Sequence, residues 1–172
     1  MNLNQFTQKS VAAIQAAQSL AVEHGNQQIE QAHLLLALLQ DDQGLVPQLL
    51  TAMGTAVSNF TENVQALVER LPKVSGGGRE ADKVYISQQV DQALQQAEQV
   101  RISMQDEYVS VEHLFLGLLD KADQTLKELF RTFSITQEKI MRALASVRGN
   151  QRVTSDNPEE TYNALKNTAQ TW

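Results

Sequence analysis

Residues 29–40, "IEQAHLLLALLQ", are matched eighty positions later by residues 109–120, "VSVEHLFLGLLD", and the two align without a gap. A helix that is apolar round most of its circumference has no face to give to water, so a chain that carries two must bury both. The repeat extends outward. Sliding the chain by 80 superimposes Phe6–Gln40 on Ile86–Asp120, with Gln8/Gln88, Ala13/Ala93, Gln15/Gln95, Ala17/Ala97, His33/His113, Leu34/Leu114, Leu36/Leu116, Leu38/Leu118 and Leu39/Leu119 identical. Further on, a gap of about three residues brings "NVQALV" (63–68) over "IMRALA" (140–145). Two copies are too few for an open solenoid. The expected fold is all-α: two like four-helix units, about eight helices, facing each other across a pseudo-two-fold axis in one globular domain.

Helical spacing supports this count. Phe6, Ala13, Ala17, Leu20 and Ala21 recur at three- and four-residue intervals over Asn4–His24, and Gly25 offers a stop. "AHLLLALL" (32–39) predicts a short central helix. A third helix opens near Pro47 and ends at Gly54, and a fourth runs from after Ser58 to Leu71, where Pro72 stops it. "KVSGGGREADK" (73–83) is too polar and glycine-rich to pack, and reads as a linker. The pattern then restarts near Ser87 with Val90, Leu94, Ala97 and Met104, continues behind a Ser110 cap with Glu112 in the first turn, and ends with stripes at Leu126–Phe133 and Ile140–Val147. The expected boundaries are repeat 1 over 4–72, linker 73–83 and repeat 2 over 84–148.

Composition excludes several classes. With 14 basic against 20 acidic residues the chain carries −6, which argues against a phosphate-backbone partner such as nucleic acid. No apolar run approaches the roughly 20 residues a bilayer span requires, and the amino terminus lacks a signal-peptide pattern. The absence of cysteine rules out disulfides and thiolate metal sites and fits a cytoplasmic location.

Catalytic signals are absent too. "GGGREADK" does not have the G-x-x-x-x-G-K-[ST] spacing that cradles phosphates. His24, His33 and His113 form no HxxxH pair and have no cysteine beside them, so the ring of a first-turn histidine is expected to satisfy local backbone groups rather than hold a metal. No serine stands in a nucleophile elbow. The chain is expected to be no enzyme and to carry no cofactor.

The doubled helix, the "AHLLLALL" and "EHLFLGLL" cores and the glycine-rich joint resemble, over residues 4–148, the Clp amino-terminal domain of AAA+ protein-remodelling ATPases. The tail "RVTSDNPEETYNALK" (152–166) is similar to the segment that leads, in ClpB-type disaggregases, towards the first ATPase module, so 149–172 reads as the start of a linker to a module absent here. The resemblance implies that ATP and magnesium belong to the parent's ATPase modules. This chain, itself a monomer as a fragment, would bind exposed apolar segments of unfolded or aggregated polypeptide in a groove between the repeats and pass them to the parent's own ring.

It also implies a site. Thr7, Asp106 and Glu112 match polar positions of substrate handling, Ala13 and Leu94 match apolar groove positions, and His113 stands where other members can have an apolar side chain. Capping and helix-dipole work accounts for Thr7, Asp106 and Glu112 equally well. The ClpC branch reads phosphorylated arginine with a glutamate before each histidine; here Glu112 is present but Ala32 breaks the pair. Two further readings stay open: a docking platform for a folded adaptor, as in ClpC- and ClpA-type unfoldases, and a spacer at the ring entrance.

Overall fold

The structure, a computed structural model, describes residues 3–74, 84–149 and 151–159. Among these it is all-α, with a 3-10 turn at Leu3–Gln5 and eight helices: α1 Gln8–Glu23, α2 Gln31–Leu39, α3 Leu45–Ala52, α4 Val57–Glu69, α5 Gln88–Ser103, α6 Val111–Asp120, α7 Gln124–Thr132 and α8 Gln137–Arg148. Caps define the starts. The hydroxyls of Thr7, Ser87 and Thr136 and the carboxylate of Asp123 accept amides from the first turns of α1, α5, α8 and α7. The first helix therefore begins at Gln8 rather than Asn4, because Thr7 turns the chain out of the helix.

The offset of 80 survives to the end of each unit. Phe60, Val64 and Val68 line the buried side of α4, and Ile140, Leu144 and Arg148 line that of α8, so no gap is needed between 63–68 and 140–145. The gapped alignment of "NVQALV" on "IMRALA" matched letters; the ungapped one matches buried faces, and it sets an arginine on a valine. Chain reversals repeat as well. Residues with left-handed backbone follow α1 and α5 (Gly25, Gln105) and α3 and α7 (Gly54, Ser134).

α2 and α6 lie at the centre, every residue of α2 and nearly all of α6 being buried. Each leucine so placed contributes about 1.5–3 kcal/mol relative to exposure. The units face each other: α3 packs on α8, and Phe60 of α4 meets Phe130 and Phe133 at the end of α7, with ring centroids 6.4 and 5.0 Å away. Within the second unit α5 and α6 approach so closely at Gly117 that a Cβ there would lie 2.4 Å from the Ala93 carbonyl oxygen. The first unit has Ala37 at the corresponding place.

The entries to α1 and α5 are exchanged between the units. Phe6 bridges Val109, and Ile86 bridges Ile29, both in parallel. The bonds correspond: Thr7 N donates to Val109 O at 2.9 Å and Ser87 N to Ile29 O at 3.0 Å.

Of the expected linker 73–83, Lys73 and Val74 pair with Asn26 and Gly25, and residues 75–83 lie outside the described residues. Of 149–172, expected to start a linker, residues 149 and 151–159 are described. Residues 151–159 run along both units, bonding Asp106, Glu107 and Val111 of the second and Thr7 and Gln8 of the first, with Val153 fully buried.

Candidate functional site

Two neighbouring features meet at the first residue of α6. The first is an apolar cleft of about 370 Å³ between α1 and the corner joining α2 to α3. Ala12, Ala13 and Ala16 form one wall, Leu38, Leu45 and Val46 the other, and Val111 closes one end. Small side chains along α1 leave the space open, and a Lys9–Asp41 ion pair of 3.8 Å stands on its rim. Apolar walls with a sparse charged rim suit an aliphatic or aromatic segment held by area burial.

The second feature is a buried polar cluster around the start of α6. Ser110 N donates to His113 Nδ1 at 2.9 Å, so Nδ1 carries no proton and Nε2–H donates to Asp106 Oδ2 at 2.7 Å. Arg148, from the last turn of α8, pairs with Asp106 Oδ1 and donates to Glu112 Oε2 at 3.0 Å. The Ser110 hydroxyl donates to the other Glu112 oxygen, and Val153 N donates to Asp106 Oδ1 at 3.0 Å. Burial by itself would raise the Asp106 carboxyl; hydrogen bonds from His113, Arg148 and the Val153 amide, with the Arg148 charge, outweigh it and hold the group below its usual range.

Glu159 joins from the chain's far end. Its Oε2 accepts the Thr7 hydroxyl at 2.8 Å and Val111 N at 3.2 Å, while its buried Oε1 has no hydrogen-bond partner among the described residues. Burial, and then the charge of Glu112, push its carboxyl above the usual range.

The first unit repeats the histidine geometry without the ion triad, Glu30 standing at the position of Ser110 and capping α2 with its carboxylate. His33 Nδ1 accepts Glu30 N at 2.9 Å, and its Nε2 donates to Asn26 Oδ1 at 2.7 Å. Burial, assisted by His24, lowers His33 to about 4. Asn26, Ala32 and Val68 stand where the second unit has Asp106, Glu112 and Arg148.

The structure thus brings Thr7, Asp106, Glu112 and His113 into one cluster and sets Ala13 in the adjoining cleft. The four polar residues are buried, as is Ala13 with 8% of its surface exposed. Leu94 is not among the residues lining that cleft. It is 1% exposed in the core, at the position equivalent to Ile14, because the α5 stripe that carries it turns inward onto α6. Arg148 and Glu159 were not anticipated from sequence. The ungapped repeat holds the signal for Arg148, a cation on a core position; for Glu159 no sequence pattern points back to Thr7.

Among the described residues, no three His, Cys, Asp or Glu side chains are grouped to hold a metal, and no helix is long and apolar enough to cross a membrane.

Residues 5–133 match the family model of the Clp repeat (R) N-terminal domain. The chain is 41% identical over 96% of its length to chaperone protein ClpB of Bacillus anthracis and, to the same extent, to that of Nitratidesulfovibrio vulgaris. It spans 19% of the length of those relatives. Among solved structures, the Hsp104 N-terminal domain from Candida albicans superimposes with a TM-score of 0.78 at 24% identity, covering 91% of this chain and 99% of that one. The ClpV N-domain solved in complex with a VipB peptide superimposes with a TM-score of 0.67 at 20% identity, covering 91% of each chain. With its duplicated helical unit, its twin buried histidines and a family match over most of its length, this chain belongs to the Clp repeat N-terminal domain family.

Proposed function

We propose that this chain is the client-recruiting N-terminal module of a ClpB-type disaggregase, and that it holds exposed apolar segments of unfolded or aggregated polypeptides in the cleft beside Ala13. The observation that carries this reading is the cleft itself, an apolar-walled space between α1 and the α2–α3 corner. Such a surface binds by burial and reads little sequence, which suits a recruiter that meets many unfolded chains. The likeness to ClpB chaperones over their N-terminal fifth supports the same reading. ATP hydrolysis, with its magnesium, then belongs to modules of the parent, and the work of this chain is capture and transfer to that ring in the cytoplasm. Thr7, Asp106, Glu112 and His113 form the polar side of the site, next to the cleft through Val111.

Filling the cleft tests it. Ala13→Trp is expected to weaken capture of a fluorescently labelled, permanently unfolded polypeptide by about tenfold or more, since about 1.4 kcal/mol of lost burial suffices. Circular dichroism should remain helical. Unchanged affinity in a folded variant would remove the cleft from the site. The peptide complex of the ClpV N-domain favours a second reading, a platform for one defined partner. A single tight, saturable folded partner, with no binding of unfolded chains, would establish that reading instead.

A further inference from the structure

We propose that residues 151–159 are a strap that occupies the polar side of the client site, so that a client must displace it to reach Thr7, Asp106 and Glu112. The inference rests on the client-capture reading and adds its regulation.

The strap is anchored along its length: Gln151 O accepts Arg148 Nε at 3.0 Å, Arg152 Nη1 donates to Met104 O at 2.6 Å, and three further residues bind the polar side. Val153, fully buried, donates its amide to Asp106 Oδ1 at 3.0 Å and accepts Glu107 N at 2.7 Å. Asp156 accepts Gln8 N on its carbonyl at 2.8 Å and Gln8 Nε2 on its carboxylate at 3.2 Å. Glu159, 2% exposed, takes the Thr7 hydroxyl and the Val111 amide. Every polar group that the strap engages at Asp106, Thr7 and Val111 is one that an incoming extended polypeptide could use in its place. Val111 couples the two features, since it also lines the end of the apolar cleft.

The last of these contacts is made on poor terms. Glu159 buries a carboxylate oxygen that has no partner among the described residues, and sets its charge beside that of Glu112. A contact so incompletely satisfied is one that a rival segment can replace. A displaceable occupant needs bonds that a rival can match, and a surface that is competent only when the strap is off binds with an apparent affinity reduced by the open fraction.

A reversible lock tests this in the intact chain, which has no cysteine of its own. Gln8→Cys with Asp156→Cys introduces a disulfide across a backbone hydrogen bond, its formation checked by mass. With a labelled, permanently unfolded polypeptide as probe, the oxidised form is expected to bind about tenfold more weakly than the reduced form, and Val153→Asp, which expels the anchor, about tenfold more tightly than the unaltered chain. Equal binding by oxidised, reduced and Val153→Asp forms overturns the strap. If that equal binding is still abolished by Ala13→Trp, the client reading stands while the strap falls; if no form binds the probe, both fall.

Discussion

Arg148 stands on α8 where Val68 stands on α4, eighty residues apart on the same buried face, and the guanidinium spans Asp106 and Glu112. The two halves therefore solve one packing position in two ways: one with a methyl pair, the other with an ion triad. Removing one member of a buried triad leaves the rest uncompensated, so Arg148→Met is expected to cost about 3–5 kcal/mol. Transplanting the first unit's set, Asp106→Asn with Glu112→Ala and Arg148→Val, should recover most of that loss. Thermal melting of the two variants checks both, and equal melting of Arg148→Met and the unaltered chain would remove the triad from the stability of the fold.

His33 supplies a pH signature. Its folded value of about 4 lies below the ordinary 6.5, so between those limits the unfolded chain takes up a proton that the native chain refuses. Stability is therefore full above pH 6.5 and falls as the pH drops towards 4, by on the order of 3 kcal/mol in all. Urea midpoints across that window should show the slope, and His33→Gln should flatten it while lowering stability at neutral pH. Asp106, held below its usual range, adds a second loss of the same sign at still lower pH.

Gly117 sets the spacing of α5 and α6. A methyl group there would meet the Ala93 carbonyl at 2.4 Å and the Ala97 amide at 3.0 Å, both backbone atoms that cannot rotate away. Gly117→Ala is expected to destabilise by about 1–3 kcal/mol, measured by urea denaturation. A neutral result would mean that the helices can part there at little cost.

Leu94→Asp is expected to unfold the chain rather than to silence a surface. The side chain is 1% exposed, and an unpaired carboxylate in that setting costs several kcal/mol. Loss of the cooperative melting transition is the readout; a folded variant would place Leu94 nearer the surface.

The architecture was legible because its signal is long-range and redundant. The twin dodecamers repeat one statement eighty residues apart, the cap at Ser87 repeats that at Thr7, and Gly25 and Gly54 mark helix ends within the first copy. What escaped was specific to one copy. Arg148 was hidden beside Val147, which fits an apolar stripe by composition, although the structure buries Arg148 and only partly buries Val147. Thr7, Asp106, Glu112 and His113 were identified as positions, yet nothing in a linear pattern says that Glu159, 152 residues from Thr7, will share a hydrogen bond with it. Long-range polar pairing has no period, so it leaves no trace until the backbone is in place.

The exchanged lead segments carry a consequence for how the halves hold together. Because Phe6 is seated on the second unit and Ile86 on the first, neither half can leave without stripping an edge from the other, and melting should be one event rather than two. A single copy cut free would present one orphaned edge and one orphaned donor strip, which a second identical copy could satisfy. The tandem chain is in that sense a tethered pair of like units, one face charged with Asp106, Glu112 and Arg148 where the other has Asn26, Ala32 and Val68.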